Sequence, residues 1–337
     1  MTDQVRIAGT ATVAVMAAGL TAGLGGGAWA QTELSLAHFM PPSHTMHVGV
    51  FEPLVEMVAE ATGGDVTVAI YPAGELGAGP VQQYNRAVDG VADLAFGLQG
   101  YTSSVFPRTL VTELPGLFDD AFDGVDTIWE NFDLLAPDYD QVHVLGVWFN
   151  SPAVLATNTP VDSIDDLSGM TIRAPSALAA EVLEAWGANA VTMPATEIYN
   201  ALQTGVIDGV FIGPDGVQGF RLYEVAEYVT YGLPSGLTSF FLVANRDSWE
   251  ALDAEDQAAI DGIAGHALSR MATEAYDAAG ARARSALEED ATTEIIDLTA
   301  EAAAAFAEPL EGVYQQVAAD LEAEGIDGQA LIDALRN

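Results

Sequence analysis

Short apolar runs alternate with amphipathic helical patterns from residue 31 onward. An apolar run of about four to eight residues between turn signals is typical of a buried strand, whereas a period of about 3.6 indicates a helix. The pattern predicts strands at Glu33–Phe39, Val66–Tyr71, Asp93–Gly97 and Val142–Phe149, with helices at Thr45–Ala61, Val81–Val88 and Asp123–Leu135. This alternation predicts an open, mostly parallel sheet with helices on its faces.

A similar alternation restarts in the second half of the chain. It predicts strands at Met170–Arg173, Ala190–Thr192, Ile207–Ile212 and Tyr228–Tyr231, and helices at Ala177–Trp186 and Glu197–Gln203. Thr238–Asn245 has the pattern of a strand that returns to the first sheet. Ala254–Leu287 contains no proline and predicts one long helix, interrupted only by tolerable glycines, because proline is the strongest helix breaker. Glu301–Glu324 predicts at least one helix more.

Two α/β lobes with several crossings between them follow from this pattern. We place the first crossing near Asn150–Pro152 and the second near Leu233–Gly236, where strands end in turn residues. The first lobe is predicted to contain residues 31–150 and 237–280, and the second residues 151–236 and 281–337. This is the architecture of a hinge-closing solute receptor of the two-lobe periplasmic-binding-protein type (type II). In such sheets the ligand lies between the lobes, at the carboxyl ends of the strands.

Residues 1–30 have the pattern of an export signal. Arg6 precedes the almost wholly apolar or small stretch Ile7–Leu24, and Ala28–Trp29–Ala30 provides small residues at a cleavage site before Gln31. An uncleaved membrane anchor is the alternative. Cleavage is favoured because the segment is rich in glycine and alanine, and it predicts a periplasmic protein that is not embedded in the membrane. No later stretch is long and apolar enough to span a bilayer.

The composition narrows the possible partners. The chain has no cysteine, which excludes a disulfide-stapled fold and thiol chemistry. All ten basic residues are arginines, against 49 acidic residues, and the net charge is −39. Either the acidic surface binds cations or basic partners, or it is an adaptation to high external salt. The acids are scattered along the whole chain, which favours the second interpretation. Nucleic acids and anionic membrane surfaces are poor partners for so acidic a chain, so we expect neither.

Arg173 is the strongest candidate for a binding residue. It ends a predicted strand in the stretch Gly169–Ser176, just before the helix that starts at Ala177. An arginine between a strand and a helix start, in so acidic a protein, predicts a site for one small anion. The alternative is a structural arginine that satisfies carbonyl groups or pairs with an acid.

The segment from Ser163 to Gly209 resembles the solute receptors of tripartite ATP-independent periplasmic (TRAP) transporters. The similarity runs through Ser163–Pro175, Leu183–Pro194 and Glu197–Gly209, and extends to Tyr71–Gly77 and Arg246–Leu252. It implies a periplasmic receptor that closes on an organic acid and delivers it to membrane permease subunits. It also implies that the long helix spans both lobes, and that Arg173 pairs with the ligand carboxylate. A guanidinium suits this role because its parallel donors fit both carboxylate oxygens.

Two departures from the family pattern bear on the ligand. Many members carry a second arginine where this chain has Asn150–Leu155, and a glutamate–asparagine–proline segment where it has Val210–Pro214. Both changes remove polar contacts for a second charged group, so a monocarboxylate, with an apolar or aromatic body, is favoured over a C4-dicarboxylate. Val210 stands where oxoacid-binding relatives place a metal-holding carboxylate, so we expect no metal and no cofactor. A C4-dicarboxylate or oxoacid receptor, or a receptor that feeds a signalling partner, stays an alternative.

Other cleft candidates follow from their positions at strand ends and helix starts. With Arg173 they are His38, Gln99, Tyr101, Phe149, Asn150, Ser176, Phe211 and Gly213. The two phenylalanines have core packing as an alternative. A zinc site at His38, His44 and His47 is disfavoured, because their spacing fits no common metal motif and no cysteine accompanies them. Nor does the chain carry a serine-nucleophile elbow or a phosphate-binding glycine loop, so we expect a receptor and not an enzyme.

Overall fold

Two separate sheets organise the computed structural model, which describes residues 31–77, 79–289 and 292–336. The predicted export signal lies outside these residues. The strands are β1 Thr32–Ala37, β2 Val66–Tyr71, β3 Leu94–Leu98, β4 Val142–Phe149, β5 Val154–Thr157, β6 Thr171–Ala174, β7 Asn189–Thr192, β8 Gly209–Ile212, β9 Tyr228–Tyr231, β10 Ser239–Asn245 and β11 Glu294–Asp297. The first sheet has the order β2-β1-β3-β10-β4, and the second the order β11-β9-β5-β8-β6-β7.

Each sheet is parallel except for a single reversed strand. In the first sheet β10 is antiparallel to both β3 and β4, while β1 pairs in parallel with β2 and β3. In the second sheet β5 is antiparallel to β8 and β9, and the remaining pairs are parallel. The mostly parallel α/β fold expected from the alternating pattern is therefore confirmed.

Helices cover both sheets. They are α1 Glu52–Ala61, α2 Gln83–Val88, α3 Ala121–Glu130, α4 Phe132–Leu135, α5 Ala177–Ala185, α6 Ile198–Gln203, α7 Pro214–Gly219, α8 Arg246–Glu250, α9 Ala254–Asp261, α10 Gly265–Glu289, α11 Ala300–Ala307, α12 Leu310–Ala323 and α13 Gly328–Arg336. Among the residues described, no helix is both long enough and apolar enough to cross a membrane.

Two short segments carry the chain between the sheets, each just before a reversed strand, and α10 later leads it from the first sheet to β11 in the second. β4 ends in the first sheet and β5 begins in the second, and later the chain passes from β9 back to β10. These segments include Asn150 and Thr238, where the Thr238 N–H donates to Asn150 Oδ1 at 3.1 Å. These two short crossing segments are thus hydrogen-bonded to each other. The predicted lobe limits, as the borders of bodies that move separately, stay a prediction.

The predicted single helix over Ala254–Leu287 is wrong in one respect, because two helices occupy the segment. Gly265 has a φ of +63°, a left-handed conformation that glycine adopts without strain, and it separates α9 from α10. α10 nevertheless reaches both sheets. Ser269 Oγ accepts from the Val147 N–H of the first sheet at 3.1 Å, and Arg284 pairs with Asp297 of the second at 2.8 Å. Strands β5 and β11 were not anticipated.

Candidate functional site

A cavity lies between the two sheets at the carboxyl ends of β3, β4, β6 and β8. Its empty space, including the part open to solvent, is about 380 Å³. Most of its wall is apolar and aromatic. The first sheet and its loops provide Met40, His44, Leu98, Tyr101, Thr238 and Phe240, and the remaining wall is Asn150, Arg173, Pro175, Ala195, Ile212, Gly213, Asp215, Gly216, Phe220 and Tyr276.

Arg173 lies at the end of β6 with only 1% of its surface exposed. Its Nε donates to the Met193 carbonyl at 2.9 Å and its Nη1 to the Phe211 carbonyl at 3.2 Å. Among the described residues no carboxylate pairs with it. Burial lowers the pKa of the guanidinium, which still stays protonated because an arginine in water titrates far above neutral pH. The cavity wall therefore holds a buried positive charge that no carboxylate of the described residues neutralises.

Tyr101 brings the first sheet to this arginine. It follows β3, and its hydroxyl oxygen accepts from Arg173 Nη2 at 3.4 Å and from the Ala195 N–H at 2.8 Å. Both donors belong to the second sheet and its loops, so one hydroxyl connects the two halves. Since the oxygen already accepts twice, the hydroxyl hydrogen is available for another acceptor. A carboxylate beside Arg173 would be such an acceptor.

A carboxyl group, Asp215, lies on the same cavity wall. The side chain of Asn150 hydrogen-bonds to it, and burial raises its pKa to about 7 in spite of that bond. Gly213 makes room for the pair, since a Cβ there would lie 2.2 Å from Asn150 Nδ2 and 2.8 Å from Asp215 Oδ1. A side chain at 213 would displace the Asn150–Asp215 pair, so glycine is favoured there by close approach rather than by backbone conformation.

Tyr276 and His44 complete the polar lining. Tyr276 is buried on α10, and its hydroxyl has no hydrogen-bond partner within the part of the chain that the structure describes. Burial lowers the pKa of His44 to about 4, and its Nδ1 accepts from the Met46 N–H at 3.2 Å, so the ring is neutral near pH 7. Sequence analysis missed Asp215, Tyr276 and the lining role of His44. No local pattern marks them, because the chain has many acids and Tyr276 is distant in sequence.

Of the residues predicted for the site, the structure places Arg173, Tyr101, Asn150 and Gly213 together on the cavity wall. His38, Gln99, Phe149, Ser176 and Phe211 do not line it. Three of these have partners elsewhere. His38 Nε2 is 2.9 Å from His47 Nδ1, Gln99 Nε2 donates to the Tyr139 hydroxyl at 2.9 Å, and the Phe149 ring packs on Phe118 at 5.8 Å.

Phe211 and Ser176 touch the site indirectly. The Phe211 carbonyl holds Arg173, while its ring meets Trp186 edge-on at 5.7 Å. Ser176 begins α5 as its N-cap, accepting from the Ala179 N–H at 3.1 Å, and donates to Glu113 Oε2 at 2.7 Å. Ser176 is therefore engaged in capping and in a contact between the lobes. The binding roles proposed for all nine residues stay predictions.

The two sheets are connected by short crossing segments, and a charged cavity lies between them at the carboxyl ends of their strands. This arrangement is that of a two-lobed solute receptor. Residues 36–320 match the family model DctP, bacterial extracellular solute-binding protein, family 7. The chain belongs to this family. Its members are solute-binding receptors of TRAP transporters rather than enzymes, which confirms the resemblance seen in the sequence.

Two solved structures and one further relative cover nearly the same extent. A TRAP solute-binding protein from Rhodoferax ferrireducens with copurified benzoate is 27% identical, with a TM-score of 0.87 over 90% of this chain and 96% of that one. A marine metagenome protein specific for aromatic acids, with 3-hydroxybenzoate, is 30% identical, with a TM-score of 0.86 over 91% and 97%. The C4-dicarboxylate-binding periplasmic protein DctP of Rhodobacter capsulatus is 27% identical over 87% of this chain and 88% of its own.

Proposed function

We propose that this receptor binds a small monocarboxylate with an aromatic body and delivers it to TRAP permease subunits. Arg173 carries the proposal, because it is a buried cation on a cavity wall whose described surroundings contain no acidic partner for it. Its guanidinium has five N–H donors, and hydrogen bonds to Met193, Phe211 and Tyr101 engage three of them. One donor on each Nη remains for the two oxygens of a carboxylate.

The cavity wall favours an aromatic body. Phe240 and Tyr276 lie next to each other there, with ring centroids 4.8 Å apart, and the His44 and Phe220 rings approach at 5.8 Å. Aromatic rings bind well against such surfaces because edge and face contacts add to the burial of apolar area. The benzoate and 3-hydroxybenzoate of the two similar structures agree with this ligand class.

A C4-dicarboxylate fits this cavity poorly. Arg173 is the single cationic side chain among the residues that line it, and the other ionisable groups include the carboxyl of Asp215. A second ligand carboxylate would meet no described positive charge and would be repelled by Asp215 once that group ionises. The similarity to a C4-dicarboxylate receptor therefore does not extend to the ligand we propose.

Export to the periplasm, with removal of residues 1–30 as a signal peptide, belongs to the same proposal. It rests on the apolar segment Ile7–Leu24 and the small residues Ala28 and Ala30, and on membership of a family of extracellular receptors. Mass spectrometry of the protein recovered from a bacterial periplasm tests it. A mature chain that starts at Gln31 is expected, and an intact N-terminus in the membrane fraction would contradict it.

Isothermal titration calorimetry against a panel of acids tests the ligand class. The panel contains benzoate, phenylacetate, butyrate, succinate, 2-oxoglutarate and glucuronate, with the mature chain in high and in low salt. Benzoate or phenylacetate is expected to bind at least about tenfold more tightly than succinate, a difference of about 1.4 kcal/mol. Tighter binding of succinate would overturn the monocarboxylate assignment.

A further inference from the structure

The cavity that Arg173 lines also contains the carboxyl group of Asp215, which Arg173 does not neutralise. The hydrogen bonds of Arg173 go to Met193, Phe211 and Tyr101, and no ion pair joins it to Asp215 in the described structure. Asp215 instead interacts with Asn150, whose Oδ1 accepts from the backbone of Thr238 in the other crossing segment. One wall of the cavity is therefore cationic, and a separate part of the wall presents a carboxyl group.

The Tyr276 hydroxyl provides a second polar atom near that carboxyl. The side chain is 1% exposed, it lines the same cavity, and its oxygen lacks a partner among the residues described. Burial, and then the nearby Asp215 and Tyr101, raise the pKa of Tyr276, so it stays a neutral hydroxyl at any physiological pH. A buried hydroxyl without a partner is costly, and such groups in proteins usually meet a ligand or an ordered water.

We propose that Asp215 and Tyr276 form a second polar subsite that takes a hydroxyl group on the ligand body. The preferred ligand is then a hydroxylated aromatic monocarboxylate, with its carboxylate on Arg173. This inference rests on the proposed function. A hydroxyl both donates and accepts, so it can donate to an Asp215 oxygen and accept from the Tyr276 hydroxyl. Asn150 holds Asp215 in place and acts as a positioning residue.

The surroundings of Asp215 favour a neutral partner over a cationic one. The titratable groups that line the cavity with it are His44 before α1, Tyr101 after β3, Arg173 on β6 and Tyr276 on α10. Burial raises the pKa of Asp215 to about 7, so near neutrality a large part of the population carries no charge there. An ammonium group would bind best only to the ionised carboxylate, whereas a hydroxyl can bond to either form.

Calorimetry with matched ligand pairs tests the subsite. The pairs are benzoate with 3-hydroxybenzoate and 4-hydroxybenzoate, and phenylacetate with mandelate, measured on the wild-type mature chain and on Tyr276→Phe, Asp215→Asn and Arg173→Ala. At least one hydroxylated acid is expected to bind on the order of tenfold more tightly than its parent. Tyr276→Phe should abolish most of this advantage and Asp215→Asn should reduce it. The result is read as the ratio of the hydroxylated acid's affinity to the parent acid's affinity within each variant, so a change that affects both acids equally cancels.

Tyr84→Phe is the matched control, because Tyr84 also has a buried hydroxyl without a described partner but lies outside the cavity. This variant should change neither the affinity for the parent acids nor that for the hydroxylated acids. If the parent acids bind through Arg173 and no hydroxyl group increases the affinity, the proposed subsite is wrong and the proposed function still stands. Failure of every aromatic acid, or binding that is indifferent to Arg173→Ala, would instead overturn the proposed function. If 3-(aminomethyl)benzoate bound more tightly than every hydroxylated acid, Asp215 would be a site for a cationic ligand group. That result would overturn the proposal that the subsite binds a hydroxyl.

Discussion

Arg173 and Glu113 are both ionisable side chains buried between the sheets, but their surroundings differ. Glu113 accepts from Ser176 Oγ at 2.7 Å, from the Ser239 N–H at 2.9 Å and from Ser239 Oγ at 2.7 Å. It lies outside the cavity. Arg173 faces the cavity, has two backbone carbonyls and one tyrosine hydroxyl as partners, and retains free donors. Glu113 is satisfied by the protein, whereas Arg173 requires an acceptor from outside.

This difference separates a structural buried charge from a binding one. Burial raises the pKa of Glu113 while three hydrogen bonds lower it, so the protein itself compensates much of the cost of burial. Asp215 is intermediate between Glu113 and Arg173. Asn150 and nearby backbone N–H groups hydrogen-bond to it, as in the case of Glu113, but it lines the cavity, as Arg173 does. Unused hydrogen-bonding capacity on a cavity wall, and not burial alone, indicates where a ligand binds.

Removing Arg173 is expected to have the largest effect. Arg173→Ala should weaken the binding of an aromatic monocarboxylate by about 2–5 kcal/mol, roughly 30- to 5,000-fold in Kd, because a buried carboxylate is left unpaired. Arg173→Lys should restore only part of the affinity, since an ammonium cannot match both oxygens. Calorimetry measures both. Arg284→Ala, which breaks an exposed ion pair with Asp297, is the control and should bind the acid with wild-type affinity.

The pH dependence of the free energy of unfolding should reveal the raised pKa of Asp215. Its folded pKa of about 7 is raised above the unfolded value near 3.8, so its stabilising contribution is complete below about pH 4 and is lost as the pH rises through 7. Asp215→Asn should therefore resemble the wild type near pH 4 and be more stable at pH 8. The gain is at most about 4 kcal/mol, since one pKa unit corresponds to about 1.4 kcal/mol.

Chemical denaturation of the ligand-free protein at several pH values gives this difference curve. His38 and His44 act in the opposite direction, because burial lowers their pKa to about 3 and about 4, and their contribution is lost as the pH falls below 6.5. Their titration is common to wild type and variant and cancels in the difference. A difference that stays constant from pH 4 to 8 would contradict the assignment of a raised pKa to Asp215.

Ser176→Ala should act on stability more than on affinity. The variant loses the N-cap of α5 and leaves Glu113 with one donor fewer, so we expect a loss of about 1–2 kcal/mol in the free energy of unfolding. Ligand affinity corrected for folding should fall by less than about threefold. An affinity loss as large as that of Arg173→Ala would place Ser176 at the ligand, against the geometry.

Tyr101→Phe should give the smallest of these expected free-energy changes, and it should appear in binding. It removes the hydroxyl that accepts from Arg173 and from the Ala195 N–H, and it leaves the ring in place. We expect affinity to fall by about 1 kcal/mol, close to fivefold, because a first-lobe donor to the carboxylate is lost. Stopped-flow fluorescence, which separates association from dissociation, should show the change mainly in the dissociation rate. Unchanged kinetics would mean that the hydroxyl only joins the lobes.

Most of the fold was predictable because it depends on local periodicity. The prediction for β2, Val66–Tyr71, and that for β4, Val142–Phe149, match the observed bounds, since both are apolar runs between turn signals. The strands β5 and β11 were missed although β9, which is equally short, was predicted, because pairing with neighbouring strands makes them strands. The break before α10 was missed because glycines at 262 and 265 are compatible with a helix until packing selects the left-handed conformation of Gly265.

The sequence by itself determined the alternation of strands and helices, the family and the prominence of Arg173, since these depend on residues that are neighbours along the chain. Tertiary structure decided which side chains face the cavity. Ser176, three residues after Arg173, turns to Glu113, while Tyr276, about a hundred residues away, joins the cavity wall. Whether a polar side chain is satisfied depends on atoms that distant segments bring within about 3 Å, and local sequence patterns do not encode those distances.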